Sequence, residues 1–165
     1  MASPLRVADI DWSSWRAVDR ATLVFVVRDG EILLIRKLRG LGRGKINGPG
    51  GRLEAGESPR ECAVREAREE LGIEPRDLAE AGQLRFQFLD GYSIHVTVFR
   101  AGDLDGRPSA TDEAIPLWTP VAEIPFDEMW EDDRIWLPHL LDGTPFCGRF
   151  VFDEDRLLDW EMEPG

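Results

Sequence analysis

At 165 residues the chain is long enough for one domain with its own core, and 42% hydrophobic against 32% charged residues is the balance of a soluble globular protein. No apolar run approaches the length needed to cross a bilayer. The net charge of −12 works against polymeric nucleic acid and anionic membrane surfaces, but admits a small anion where a divalent cation supplies positive charge locally.

Residues 1–20 read as an N-terminal extension that packs through Trp12 and Trp15, ahead of a single domain over 21–165. They show no basic stretch followed by an apolar one, so no secretory leader is expected. Cys62 and Cys147 lack CxxC spacing, which argues against a zinc site or disulfide scaffold and sets a reduced, cytoplasmic protein as the expectation, read as a monomer with an oligomer left open.

The β-branched run Thr22 to Val27, the turn Arg28-Asp29-Gly30 and the run Ile32 to Ile35 predict a pair of adjacent strands. The glycine-rich stretch 39–51 predicts a loop able to approach a ligand closely. A helix is expected from Ser58, with serine as N-cap, Pro59 at the first helical position and Glu61 three residues after the cap; Gly72 ends it. Leu84 to Phe88 and Ile94 to Phe99 alternate as strands around Asp90-Gly91. Leu104 to Thr111 reads as polar loop, and Ile115 to Val121 as a strand broken by Pro116 and Pro120. Asp132 to Leu141 reads as a second helix that Pro138 kinks or shortens. Phe146 to Phe152 and Leu157 to Glu161 close the chain as a hairpin around Asp153-Glu154-Asp155.

The first helix carries the chemistry. At about 100° per residue, Glu66, Glu69 and Glu70 fall within an arc of about 100° that borders the apolar stripe Ala63, Val64, Ala67 and Leu71. Like charges at that spacing repel, so a cation should compensate. Arg65, spaced i,i+4 from both Glu61 and Glu69, could do part of this, and a salt-laced surface helix stays open as the plainer explanation. Carboxylates behind a glycine turn with free backbone carbonyls also suit Mg²⁺ or Mn²⁺.

Gly51, Glu57, Arg65, Glu66, Glu69, Glu70 and Gly72 stand at the spacing of the Nudix box, and the chain resembles the Nudix hydrolases. The resemblance implies an α/β/α sandwich around a mixed sheet and hydrolysis of a nucleoside diphosphate derivative. It implies that Glu66, Glu69 and Glu70 bind metal with the Gly50 carbonyl, and that Glu57 and Arg65 pair structurally. It also implies that Glu69 or Glu70 takes the proton of the attacking water. Ala67 stands where the family usually has a larger aliphatic residue.

The stretch Ile124 to Asp133 with Trp136 is similar to the oxidised-purine branch of the family, over about Thr22 to Trp160. That likeness implies a base pocket of Asn47, Phe86, Phe88, Trp130, Asp132 and Asp133, with Thr22 and Lys37 beside it and Glu113 as a further metal carboxylate. It implies Mg²⁺-dependent hydrolysis of nucleotides such as 8-oxo-dGTP to monophosphate and pyrophosphate, a nucleotide-pool sanitation role. Leu41 and Ile46 replace aromatics of that branch and Ala114 a methionine, which predicts a larger or less stacking pocket. Rival readings are a dinucleoside polyphosphate, ordinary NTP or ADP-ribose substrate, and a Nudix-like binding module without turnover. The lack of a proline near position 88 counts against ADP-ribose; Tyr92 keeps the dinucleoside polyphosphates open. His95, His139 and Cys62 read as structural.

Overall fold

The computed structural model describes residues 5–164. After a short 3₁₀ turn at Val7–Asp9, the strands β1 (Asp19–Arg28), β2 (Glu31–Lys37), β3 (Ile46–Asn47) and β4 (Gly50–Arg52) lead into the helix α1 (Pro59–Leu71). Then come β5 (Glu74–Arg76), β6 (Ala79–Phe88), β7 (Ser93–Ala101), β8 (Asp103–Asp105) and β9 (Ala114–Pro120). The helix α2 (Asp133–Asp142) and the hairpin of β10 (Phe146–Asp153) and β11 (Arg156–Pro164) complete the chain. β1 begins at Asp19, so the expected boundary between residues 20 and 21 falls inside the first strand.

The main sheet is mixed. Its order is β11-β10-β6-β7-β1-β2-β3, with β4 also on β1 and β9 also on β2. β1–β7 and β6–β10 run parallel and the other pairs antiparallel. Alternation along β1 splits the core: Ala21 and Phe25 pack with Trp136, Leu137 and Leu140 of α2, while Val24 and Val26 pack towards Ala63, Ala67 and Leu71 of α1. The two helices thus cover opposite faces, which is the expected α/β/α sandwich. No helix among the described residues is long and apolar enough to cross a membrane.

α1 starts and stops where its caps dictate. Ser58 Oγ accepts the Glu61 amide at 3.1 Å, Glu61 accepts the Ser58 amide at 3.0 Å, and Gly72 takes the left-handed conformation with φ 71°. Three expectations need correction. β9 is continuous through Pro116 and Pro120, because it is an edge strand with β2 as its one partner and can spare those amides. The stretch read as loop from Leu104 begins inside β8, which pairs with β5 and is too short to show a period. α2 runs unbroken through Pro138, and Arg100 secures its end by donating to the carbonyls of Leu140 at 2.7 Å and Leu141 at 3.1 Å.

The N-terminal segment lies against the sheet. Trp15 Nε1 donates to Gln87 Oε1 at 2.8 Å, Trp12 Nε1 to the Val7 carbonyl at 3.0 Å, and the Val7 amide to Asp159 Oδ2 at 2.9 Å.

Candidate active site

The carboxylates gather where α1 passes the β4 turn. Glu66, Glu70 and Glu113 each present an oxygen within 4.8 Å of the others. Two ionised carboxylates at that separation repel by on the order of 3 kcal/mol at an effective dielectric of 20, so the trio requires protons or a cation. Burial, then the Glu66 charge, pushes the Glu70 carboxyl up to about 8, against the opposing pull of the Gly50 amide and Lys37. Burial also raises Glu66, opposed by its hydrogen bond from Arg65. A partly buried set of converging hard oxygen donors, with Glu70 at its buried centre, fits a divalent cation. Glycine at 50 and 51 lets the turn come this close: a Cβ on Gly50 would strike the Thr22 carbonyl, and one on Gly51 would strike the Glu66 carboxylate. The Gly50 amide donates to Glu70 Oε2 at 3.3 Å.

Arg65 ties loop to helix. Its Nε and Nη2 hold the two oxygens of Glu57 at 2.6 and 2.9 Å, and Nη2 also donates to the Arg52 carbonyl at 3.1 Å. Nη1 reaches Glu66 at 2.8 Å and Glu69 at 3.1 Å. The Arg65 hydrogen bonds hold Glu57 down at about 2. Glu69 stands apart from the trio: its carboxylate is half exposed and turned to Arg65. Glu113 is met by Arg39 Nη2 at 2.8 Å.

A cleft of about 780 Å³ joins this cluster to an aromatic chamber. Lys37, Asn47, Phe86, Phe88, Trp130, Asp132, Asp133, Gly50, Glu66, Glu70 and Glu113 all line it. Phe88 stacks on Phe152 at 5.6 Å between centroids, and Trp130 stands edge-on to Phe152 at 5.5 Å. Phe86 stacks on Phe150 at 5.2 Å. Asn47 Oδ1 accepts the Gly48 amide at 2.8 Å, which fixes the side chain. Burial pulls the Lys37 ammonium pKa down, opposed first by Glu70.

Asp132 and Asp133 are buried side by side at the start of α2. Asp132 Oδ2 accepts the Trp136 indole N–H at 2.7 Å, whereas Asp133 Oδ2 has no partner among the described residues. Burial raises both carboxyls, and the neighbouring Asp132 charge raises Asp133 further. Burial and mutual repulsion favour a proton held on the pair, one carboxyl donating beside the other.

Thr22 also lines the cleft, but its hydroxyl is occupied with Cys62 Sγ at 3.3 Å. Of the three departures expected to enlarge the pocket, Leu41 alone lines it. Ile46 is buried in the core on the α2 side, and Ala114 faces the α1 side of the sheet. Sequence reasoning missed Phe152, the floor of the chamber. Its signal was present as the spacing of Phe150 and Phe152, the same as that of Phe86 and Phe88, but the parallel register that stacks them pair on pair is non-local.

A cleft joining clustered carboxylates to an aromatic chamber is the outline of a nucleotide hydrolase. The NUDIX domain profile matches residues 18–140, and the chain belongs to that family. It is 41% identical over 144 residues to the oxidized purine nucleoside triphosphate hydrolase of Danio rerio, covering 86% of this chain and 92% of that one. Identity to the protein of the same name in Mus musculus is 37% over 143 residues, with the same shares covered. The crystal structure of a MutT protein from Bacillus halodurans superposes with a TM-score of 0.80 at 28% identity, covering 90% of this chain and 99% of that one. Nudix hydrolases generally use a divalent metal, and the carboxylate trio is the corresponding feature here.

Proposed function

We propose that the protein hydrolyses oxidised purine nucleoside triphosphates, 8-oxo-dGTP among them, to the monophosphate and pyrophosphate with Mg²⁺, as a cytoplasmic enzyme acting on free nucleotides. The observation that carries this is the joining of the carboxylate trio and the Asp132–Asp133 chamber in one cleft. The relatives' names supply the substrate class. Two free cysteines are consistent with a reducing compartment.

Glu66, Glu70 and Glu113, with the Gly50 carbonyl, are the groups that would hold the cation. Bound there, it would neutralise polyphosphate charge and acidify the attacking water. Glu69, turned to Arg65, is the outlying member of the box. The protein's own groups do the rest. Phe88, Trp130 and Phe86 offer faces to the purine. Asn47, a protonated Asp133 and an ionised Asp132 offer donors and acceptors to its edge. A donor–acceptor pair that can exchange its proton suits more than one oxidised purine. Lys37 and Arg39, also on the cleft wall, meet the phosphates. Glu70 or Glu69 would accept the proton of the attacking water as its oxygen bonds to phosphorus and the anhydride bond between the α- and β-phosphates breaks, releasing pyrophosphate.

Tyr92, which kept dinucleoside polyphosphates open, donates its hydroxyl to Asp19 Oδ2 at 2.8 Å and so is committed within the protein. Product analysis tests the reaction type. Phosphorus NMR of 8-oxo-dGTP turnover should show 8-oxo-dGMP and pyrophosphate in equal amounts; release of orthophosphate as the primary product would refute it.

A further inference from the structure

A second cavity, of about 320 Å³, lies on the opposite face of the sheet from the base chamber. It is lined by Trp12, Trp15, Arg16, Arg20, Arg85 and His95, together with Ala17, and holds no acidic residue. The sheet register explains the clustering. Arg20 of β1 pairs with His95 of β7, His95 with Arg85 of β6, and Arg85 with Arg149 of β10. Their chain neighbours Ala21, Ile94 and Phe86 line the catalytic cleft, so alternation turns the basic row the other way.

Like charges side by side on neighbouring strands destabilise a sheet. Arg149, at the end of the row, is relieved by Glu161 at 3.7 Å, Glu163 at 3.9 Å and the Trp12 ring at 5.4 Å. Arg16 donates to the Trp15 carbonyl at 2.9 Å. Arg20 and Arg85 make no side-chain hydrogen bond and no ion pair among the described residues, although the chain carries 32 acidic residues against 20 basic ones. Burial first, and then the charges of Arg85 and Arg20, holds His95 down at about 4, and its Nε2 meets Gln83 Oε1 at 2.7 Å.

We propose that this cavity is a second ligand site, which takes a compact diphosphate: inorganic pyrophosphate or the diphosphate group of a nucleotide. Two unpaired guanidinium forks match phosphate oxygens in geometry and charge. Trp12 and Trp15, with ring centroids 5.1 Å apart, wall the cavity and would present an aromatic face to a base. The cavity is less than half the size of the catalytic cleft, and the −12 net charge disfavours a polymeric polyanion.

The test is titration of ¹⁵N-labelled full-length protein with pyrophosphate, and separately with ADP, in EDTA at fixed ionic strength. The indole signals of Trp12 and Trp15 report this cavity, and that of Trp130 reports the catalytic cleft. Saturable movement of the Trp12 and Trp15 signals is expected, with affinity reduced about tenfold or more in Arg20→Gln and in Arg85→Gln. Both variants should keep wild-type turnover in the catalytic cleft, which confirms their fold. Tighter binding of pyrophosphate assigns the site to the free anion, and tighter binding of ADP assigns it to a nucleotide. Static Trp12 and Trp15 signals, or movement that the two variants leave unchanged, would overturn the proposal.

Discussion

Asp132 accepts the Trp136 indole N–H at 2.7 Å while Asp133 beside it, equally buried, leaves Oδ2 without a partner. The pair is therefore asymmetric before any substrate arrives: one carboxylate is anchored and the other is open towards the cleft.

That asymmetry predicts different phenotypes. Asp133 is raised by burial and by Asp132, so it keeps its proton to a higher pH than a free carboxyl and loses it as pH rises further. Activity should fall on the alkaline side as that donor disappears. Asp133→Asn, a permanent donor, should keep activity at neutral pH and lose that alkaline limb. Asp132→Asn should raise KM for 8-oxo-dGTP by roughly tenfold or more, the scale of a hydrogen bond to a charged group. The pH profile of kcat/KM checks both, and wild-type profiles in both variants would sink the assignment.

The box glutamates should not be equivalent. Glu66→Gln and Glu70→Gln remove members of the trio and should cut turnover by about a thousandfold and weaken Mn²⁺ binding together. Glu69→Gln, changing a half-exposed group turned to Arg65, should leave Mn²⁺ affinity closer to wild type. Manganese EPR titration of the three variants separates binding from chemistry. Equal loss of affinity in all three would mean that Glu69 swings into the trio.

Metal-free stability should depend on pH through Glu70. Its folded pKa is raised from 4.5 to about 8, so the folded protein holds a proton that the unfolded chain releases. The contribution is fully present below about pH 4.5 and is lost as pH rises through 8. In EDTA, Tm should therefore decline across that window, and added Mg²⁺ should raise Tm most at its alkaline end. Thermal scans at pH 5, 6.5 and 8 check this; an Mg²⁺ effect independent of pH contradicts it.

Arg65→Lys is not a conservative change here. A lysine cannot hold both oxygens of Glu57 while reaching Glu66, and the loss should lower the unfolding midpoint by leaving those carboxylates without their donor. Denaturant unfolding measures it, and a Lys variant as stable as wild type would show the web to be dispensable. Phe88→Ala should cost about 3–5 kcal/mol because Phe88 is buried on Phe152, whereas Trp130→Ala, at a partly exposed ring, should act mainly on KM.

The caps and the box of α1 were legible in the sequence because they are local: Ser58, Pro59, Glu61 and Gly72 act within a turn of where they stand. What escaped was non-local. Arg65 turns Glu69 aside from the helical arc it shares with Glu66 and Glu70, whereas Glu113, just ahead of β9, was legible only through the family resemblance, since no local spacing joins it to them. Phe152 reaches the chamber through the parallel pairing of β10 with β6, which no short period encodes. Pro116 and Pro120 misled because their cost depends on whether the strand is at an edge, and that is a property of the sheet.

The most direct measurement is kcat/KM with Mg²⁺ for 8-oxo-dGTP, 2-oxo-dATP, dGTP, diadenosine tetraphosphate and ADP-ribose at one low concentration. A clear preference for the oxidised purines, lost in Asp132→Ala while Glu70→Gln abolishes all turnover, is the predicted result. Faster turnover of dGTP, diadenosine tetraphosphate or ADP-ribose would contradict the substrate assignment while leaving the Nudix fold in place.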